Sequence, residues 1–417
     1  MPKRYKIRFP DIESYRAAEE ATHVEGPEAM FRSAKGHVVG QSLVHVKNDK
    51  RHYISIEPSA LLAEGESEKK FVMQVETFDK EFGARVVEDF RYDMENDIFA
   101  SSAFGPDDPN DPSLDDVLDL IEAPTAWQES RGQGITIAVV DTGIDGTRPE
   151  FPASKRAGSW QAITDTPWTD WKGHGTMCAC IAAGTKASGG KFDGVAPDAD
   201  VIACKTRFYD SELAQIYDYL IDLVHNEGRN IIATNSFGIQ TGTPPPIPDD
   251  SDFMPALQEA IDAGIKVFFS AGNYHEDAGG QPDRCDPTSI WLHKCKSDVL
   301  TVATCDLDLN MWYYSSRGPG QFAGQAGNSD KPDVTAPTPK NGRVVYGNVV
   351  RSLPKGWGTS GACPQAAGLG ALLLGKDPGL DRQQLFDIIR STTRTLQHSA
   401  ACAGTGLINC KHAIDAV

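Results

Sequence analysis

An α/β fold, in which helices cover both faces of a parallel sheet and a small ferredoxin-like α+β domain stands in front, is what this sequence predicts. Three observations carry the expectation. Strand-like, nearly continuous apolar runs alternate with helical segments over residues 117–417; shorter elements in βαββαβ order fill residues 1–95; and an acidic stretch, residues 96–116, separates the two. Continuous apolar strands are what a parallel sheet buried on both faces requires.

In the front module, β-type runs fall at residues 5–9, 37–46, 52–56 and 84–92, with two helical stretches between them. The second helix is the clearer one. Phe71, Val75, Phe78 and Phe82 recur at i, i+4, i+7 and i+11, one apolar stripe, and Gly83 is placed to stop it. The order is that of a split βαβ unit. Residues 106–119 then bring proline, asparagine and six aspartates, a composition that cannot bury itself and predicts an exposed linker. Beyond it the buried strands are expected at residues 135–140, 201–204, 230–234, 266–269 and 299–303. Asp141, Ser236 and Asn273 follow such runs, and ligands of open α/β sheets bind at the carboxyl ends of strands, so three segments are delivered to one crevice.

Charge narrows the partners. Against 58 Asp and Glu the 417 residues carry 40 Lys and Arg, a net charge of −18, which argues against nucleic acid and anionic membrane as ligands. The first ten residues hold basic side chains without the apolar stretch of a secretory signal, so a cytoplasmic location is expected. Nine cysteines, an odd and scattered set, read mainly as buried thiols. His275, Cys285, His293 and Cys295 share a short span, but their spacing matches no standard zinc pattern. A Cys285 to Cys295 bridge, or unligated side chains, is the plainer reading, and no metal site is assigned.

Three short motifs carry chemistry: Val139-Val140-Asp141-Thr142-Gly143, Gly173-His174-Gly175-Thr176 and Gly358-Thr359-Ser360-Gly361-Ala362. A serine hydroxyl is a poor nucleophile at neutral pH; it needs a base, and the base needs a partner that fixes its tautomer. Taken singly, Ser360 also reads as a helix N-cap, His174 as a loop histidine and Asp141 as a strand-end turn. Asp141-Thr142-Gly143 fits an aspartic protease too, but that chemistry needs a second such carboxylate motif, and the sequence has none.

Together with residues 121–127, 132–145, 174–184, 236–238, 270–273, 314–319, 335–337, 359–368 and 404–409, these motifs resemble the subtilisin-like serine proteases, or subtilases, over roughly residues 117–417 and in the family's order. The resemblance implies a subtilisin-like catalytic domain that hydrolyses peptide bonds in polypeptide substrates as an endopeptidase. It assigns Ser360 as nucleophile, His174 as general base and then acid, Asp141 as its orienting group, and Asn273 as side-chain donor to the oxyanion. Ser236, Phe237, Gly238, Ala271 and Gly272 are then the walls of a cleft in which an extended peptide adds as a strand, with less weight on Phe237, whose ring equally suits the core. No redox or organic cofactor is required, and structural calcium is allowed by the family without assigned ligands.

Two positions depart from the family pattern, Gly361 where methionine is usual and Gln365 where histidine is frequent, and looser local packing is expected there. Cys178 and Cys363 share helical faces with His174 and Ser360 and read as packing thiols. Within the family a ferredoxin-like front module acts as folding assistant and inhibitor. The resemblance therefore implies a zymogen, with residues 93–109 lying in the cleft and the N-terminal domain as intramolecular inhibitor. The alternative is a catalytically silent subtilase-fold protein that binds peptides.

Overall fold

The computed structural model describes residues 4–25, 28–32, 38–58, 82–94, 105–239, 250–321 and 328–417. Its centre is a seven-stranded parallel sheet in the order Val334–Pro337, Leu300–Cys305, Lys266–Ser270, Ile231–Asn235, Thr136–Asp141, Asp200–Lys205 and Arg156–Gln161. The five apolar runs read from the sequence are its five inner strands. Both edge strands escaped that reading for a physical reason. Arg156–Gln161 is half-buried along its whole length and carries polar residues, and Val334–Pro337 is short and ends in proline, which an edge tolerates.

The apolar runs are continuous because both faces are covered. From the strand Thr136–Asp141, Ile137 and Val139 enter a core with the helices His174–Ala183 and Gly358–Lys376, while Ala138 and Val140 enter the opposite core with the helices Asp210–Glu227 and Phe253–Asp262. The acidic stretch divides differently from expectation. Residues 106–110 are exposed, but from Ser113 onward the chain caps and forms the helix Leu114–Leu120, whose Leu114, Val117 and Leu118 join the main core. Its aspartates face outward, so composition alone concealed an amphipathic helix.

The front module is a six-stranded antiparallel sheet in the order Thr22–Glu25, Glu28–Arg32, Val38–Asn48, Tyr53–Pro58, Tyr5–Arg8 and Arg85–Glu88. The last four are the expected strands, in split βαβ order; the first two form an additional hairpin at the edge. The stripe through Phe71, Val75 and Phe78 lies outside the described residues.

This module docks on the sheet-capping helices through opposite charges. Lys6 Nζ donates to Asp210 Oδ2 (2.8 Å), Asp252 Oδ2 (2.7 Å) and the Asp250 carbonyl (2.7 Å). Burial works to lower its pKa, but Asp210 and Asp252 more than offset this and hold the ammonium above its ordinary range. Arg51 grips both oxygens of Asp218 at 3.0 and 2.8 Å. Asp89 accepts from the N–H of Ser211 (3.1 Å) near the start of the helix Asp210–Glu227.

Candidate active site

Asp141 ends its strand with one carboxylate oxygen doubly engaged: Oδ1 accepts from the Thr142 N–H (2.7 Å) and lies 2.7 Å from His174 Nδ1. Both side chains are buried. Because the carboxylate accepts at Nδ1, the imidazole is fixed as the Nδ1–H tautomer and Nε2 becomes its basic nitrogen. His174 opens the helix His174–Ala183, and Asp170 sets the loop before it. Oδ1 of Asp170 accepts from Gly173 N–H (2.7 Å) and Thr142 Oγ1 (2.7 Å), and Oδ2 from Thr176 N–H (2.8 Å) and Thr176 Oγ1 (2.6 Å). One carboxylate thus locks the aspartate turn to the histidine helix. Sequence reasoning missed Asp170; the available signal was an acidic residue just ahead of a helix start, where it satisfies orphan N–H groups.

Ser360 is the third residue of the helix Gly358–Lys376, with Trp357 at the cap, so the N-cap reading is corrected. Its Oγ is buried and has no hydrogen-bond partner among the described residues. Pro364 stands at i+4 and has no N–H to give the Ser360 carbonyl, which is satisfied from outside the helix: Ser236 Oγ donates at 3.3 Å and Cys178 Sγ at 3.4 Å. The same sulfur lies 3.9 Å from His174 Nδ1, so Cys178 joins the two helices underneath the site. Burial, then the Asp141 carboxylate, push its pKa well up, so it is a thiol rather than a thiolate. A mercurial that reaches Cys178 is expected to displace His174 and abolish activity, while Cys178→Ser should resist the reagent; inhibitor titration with peptide mapping checks this.

Asn273 is aimed by its oxygen. Oδ1 accepts from the N–H and Oγ1 of Thr359, each at 3.0 Å, which leaves Nδ2 buried and without a partner among the described residues. Thr359 Oγ1 also accepts from Gly272 N–H (3.1 Å). Gly272 sits at φ +113°, and a Cβ there would meet Ser316 Oγ and the Tyr274 ring at 2.8 Å, so only glycine fits. A buried amide donor with no acceptor, held in place from behind, suits a charge that develops during reaction.

The cleft residues separate into two groups. Ser236 and Gly272 are bonded to the segment that carries Ser360, through the Ser360 carbonyl and Thr359 Oγ1, while Gly238 lies beside Lys294 and Tyr274 and Ala271 adjoins Gly272. Phe237 stands apart: its side chain is fully buried and packs against Tyr92, Phe208, Phe253, Phe269 and His293, so its weight as a substrate contact is corrected to core packing. The expectation of looseness at Gly361 is also corrected. A Cβ at that position would meet Trp357 Cβ at 2.4 Å and Ile181 and Thr338 side-chain atoms at 3.4 Å, so the space is already filled. Gln365 Nε2 donates to the carbonyls of Pro337 (2.7 Å) and Gly361 (2.9 Å).

Cys285 pairs with Cys402 and not with Cys295, and the other seven cysteines are buried thiols. His293 belongs to the aromatic core around Phe237, away from any cysteine cluster. Among the described residues one group of three potential metal ligands lies within mutual reach, Asp141, His174 and Cys178, which is the site above. No helix among the described residues is long and apolar enough to cross a membrane.

The chain is 26% identical over 302 residues to the "Intracellular serine protease" of Paenibacillus polymyxa, covering 70% of this chain and 83% of that one. It is 27% identical over 316 residues to "Thermitase" of Thermoactinomyces vulgaris, covering 75% and 99%. The crystal structure of MycP1 from Mycobacterium smegmatis shares the fold at a TM-score of 0.55 and 21% identity, over 75% of this chain and 88% of that one. The family model described as "Subtilase family" matches residues 132–406, well over half of the chain, and with its aspartate, histidine and serine motifs inside that span the protein belongs to the subtilases, the subtilisin-like serine proteases.

Proposed function

We propose that the chain is an endopeptidase that works through an acyl-enzyme on Ser360. Ser360 Oγ attacks the peptide carbonyl as His174 Nε2 takes its proton; the tetrahedral intermediate then expels the amine, which leaves with that proton. Water repeats the sequence on the ester and restores the serine. Asp141 holds the imidazole and stabilises its charged form. Asn273 Nδ2 and the Ser360 N–H donate to the oxyanion, each such donor contributing about 3 to 4 kcal/mol to the transition state, a scale known from this same family. The observation that carries the reading is the 2.7 Å Asp141–His174 bond in a site where Ser360 Oγ and Asn273 Nδ2 are both buried without partners among the described residues. A silent peptide-binding protein has no use for that arrangement. Labelling by a fluorophosphonate, in parallel with loss of peptide hydrolysis, tests it; an unlabelled, unaffected protein contradicts it.

The zymogen reading is supported by the tail of the front module. Asp93–Met94 pairs antiparallel with Phe237–Gly238, the cleft wall, and the Tyr92 N–H donates to the Phe208 carbonyl at 2.8 Å. The Tyr92 ring is fully buried against Phe237, Phe253 and His293. A strand added there occupies the place of a substrate. The N-terminal domain is accordingly read as an intramolecular inhibitor spanning residues 1–95, cut within residues 93–109. Lys6→Met would take the shared ammonium from two buried carboxylates, of which Asp252 keeps Arg8 Nη1 at 2.6 Å, and is expected to weaken docking by roughly 3 kcal/mol, about 100-fold. Peptide hydrolysis by the full chain should rise accordingly; intact-mass measurement of an uncut chain with full activity would defeat the zymogen reading. A cytoplasmic location is supported by the name of the Paenibacillus relative.

A further inference from the structure

We propose that this protease selects an acidic residue immediately before the bond it cuts, and that Lys294 reads the carboxylate. The inference rests on the endopeptidase reading of the Ser360 site. It starts from register. Asp93 stands opposite Gly238 and Met94 opposite Phe237. A peptide that continues this ladder has its next residue opposite Ser236, whose hydroxyl bonds the Ser360 carbonyl at 3.3 Å. The carbonyl of that next residue is therefore the one carried to the nucleophile, and its side chain turns to the face opposite its predecessor's.

Next to this position lies a small cavity lined by Ala271, Tyr274, Trp291 and Lys294, the first two flanking the segment that carries Asn273. Its walls are flat: the rings of Tyr274 and Trp291 stack at 6.2 Å with 7° between their planes. Its polar end faces Gly238. A Cβ on that glycine would meet Lys294 Nζ at 2.9 Å and the Tyr274 hydroxyl at 3.2 Å, so the missing side chain opens the peptide-binding strand to both groups. Lys294 is 2% exposed, and its ammonium lies 5.7 Å from the centroid of the Tyr274 ring. A narrow aromatic slot that ends in a buried ammonium and a phenolic hydroxyl matches the chemistry of a short apolar stem bearing a carboxylate. It rejects lysine and arginine by like charge, and it gives an uncharged amide a weaker bond than a carboxylate. In this chain's own sequence the residue after Met94 is Glu95.

The test measures the rate at which Ser360 is modified by peptidyl phosphonates of sequence Tyr-Asp-Met-X, with X the analogue of glutamate, glutamine, leucine or lysine. Any masking of the cleft by the front module scales all four rates alike, so their ratios report the pocket. The glutamate analogue is expected to react roughly 100-fold faster than the glutamine analogue. Lys294→Met should remove that preference in favour of leucine, and Lys294→Glu should favour lysine. Equal rates for glutamate and glutamine in the unaltered protein overturn the inference even if neither variant folds, as does a Lys294→Met variant that keeps the preference. Failure of all four analogues and of a fluorophosphonate to modify Ser360 overturns the endopeptidase reading instead.

Discussion

Replacing Ser360 with alanine is expected to lower the rate of peptide hydrolysis by roughly 10⁶-fold, the scale known for this family, without weakening the fold. The two halves of that expectation have one cause. Ser360 Oγ is buried yet makes no hydrogen bond among the described residues, so its removal leaves no donor or acceptor stranded. The contacts that hold this segment run through the Ser360 carbonyl, which Ser236 and Cys178 satisfy and which alanine retains. The melting temperature should match or exceed that of the unaltered protein. A variant that melts many degrees lower would mean that the hydroxyl is structural, and a rate reduced only a few-fold would remove it from the chemistry.

Asn273→Ala is expected to reduce kcat by roughly 10²- to 10³-fold with little change in KM, again a scale known from this family. The amide nitrogen serves the oxyanion, which exists only along the reaction path, so ground-state binding of the peptide should not register its loss. The amide oxygen has a second duty, because it accepts from the N–H and hydroxyl of Thr359. The alanine variant should therefore also lose about 1 to 3 kcal/mol of stability by removing the acceptor that the Thr359 N–H and hydroxyl share. Steady-state kinetics beside thermal melting separates these effects. A higher KM at constant kcat would place Asn273 in peptide binding instead.

Legibility in the sequence followed burial. The strand Thr136–Asp141 was readable because both faces are packed and Ile137, Ala138, Val139 and Val140 form an unbroken apolar run ahead of Asp141; among the other inner strands, Ile231–Asn235 and Leu300–Cys305 carry mainly apolar runs interrupted by threonine. Where an element is half solvated the signal fades: Arg156–Gln161 shows no apolar run, and the helix Leu114–Leu120 hides its buried face behind aspartates. Asp141, His174 and Ser360 could be named because each sits in a distinctive motif among small residues. Asp170 also reaches back to Thr142, and Thr359 reaches Asn273, through hydrogen bonds across the fold, and no local spacing encodes these two contacts. Phe237 shows the converse. Its neighbours Ser236 and Gly238 lie beside the Ser360 carbonyl and Lys294, but strand alternation sends the intervening ring into the core. The cysteine pairing followed the same logic, since Cys285 and Cys402 are 117 residues apart and are brought together only by the fold.

The most direct measurement mixes the full-length protein with a slowly hydrolysed activated ester, quenches it in acid, and maps the acyl group by peptide mass spectrometry. The account predicts a single acylated position, Ser360, absent from Ser360→Ala and strongly reduced in His174→Ala. Acyl transfer to Cys178, or equal labelling in the His174 variant, would contradict it.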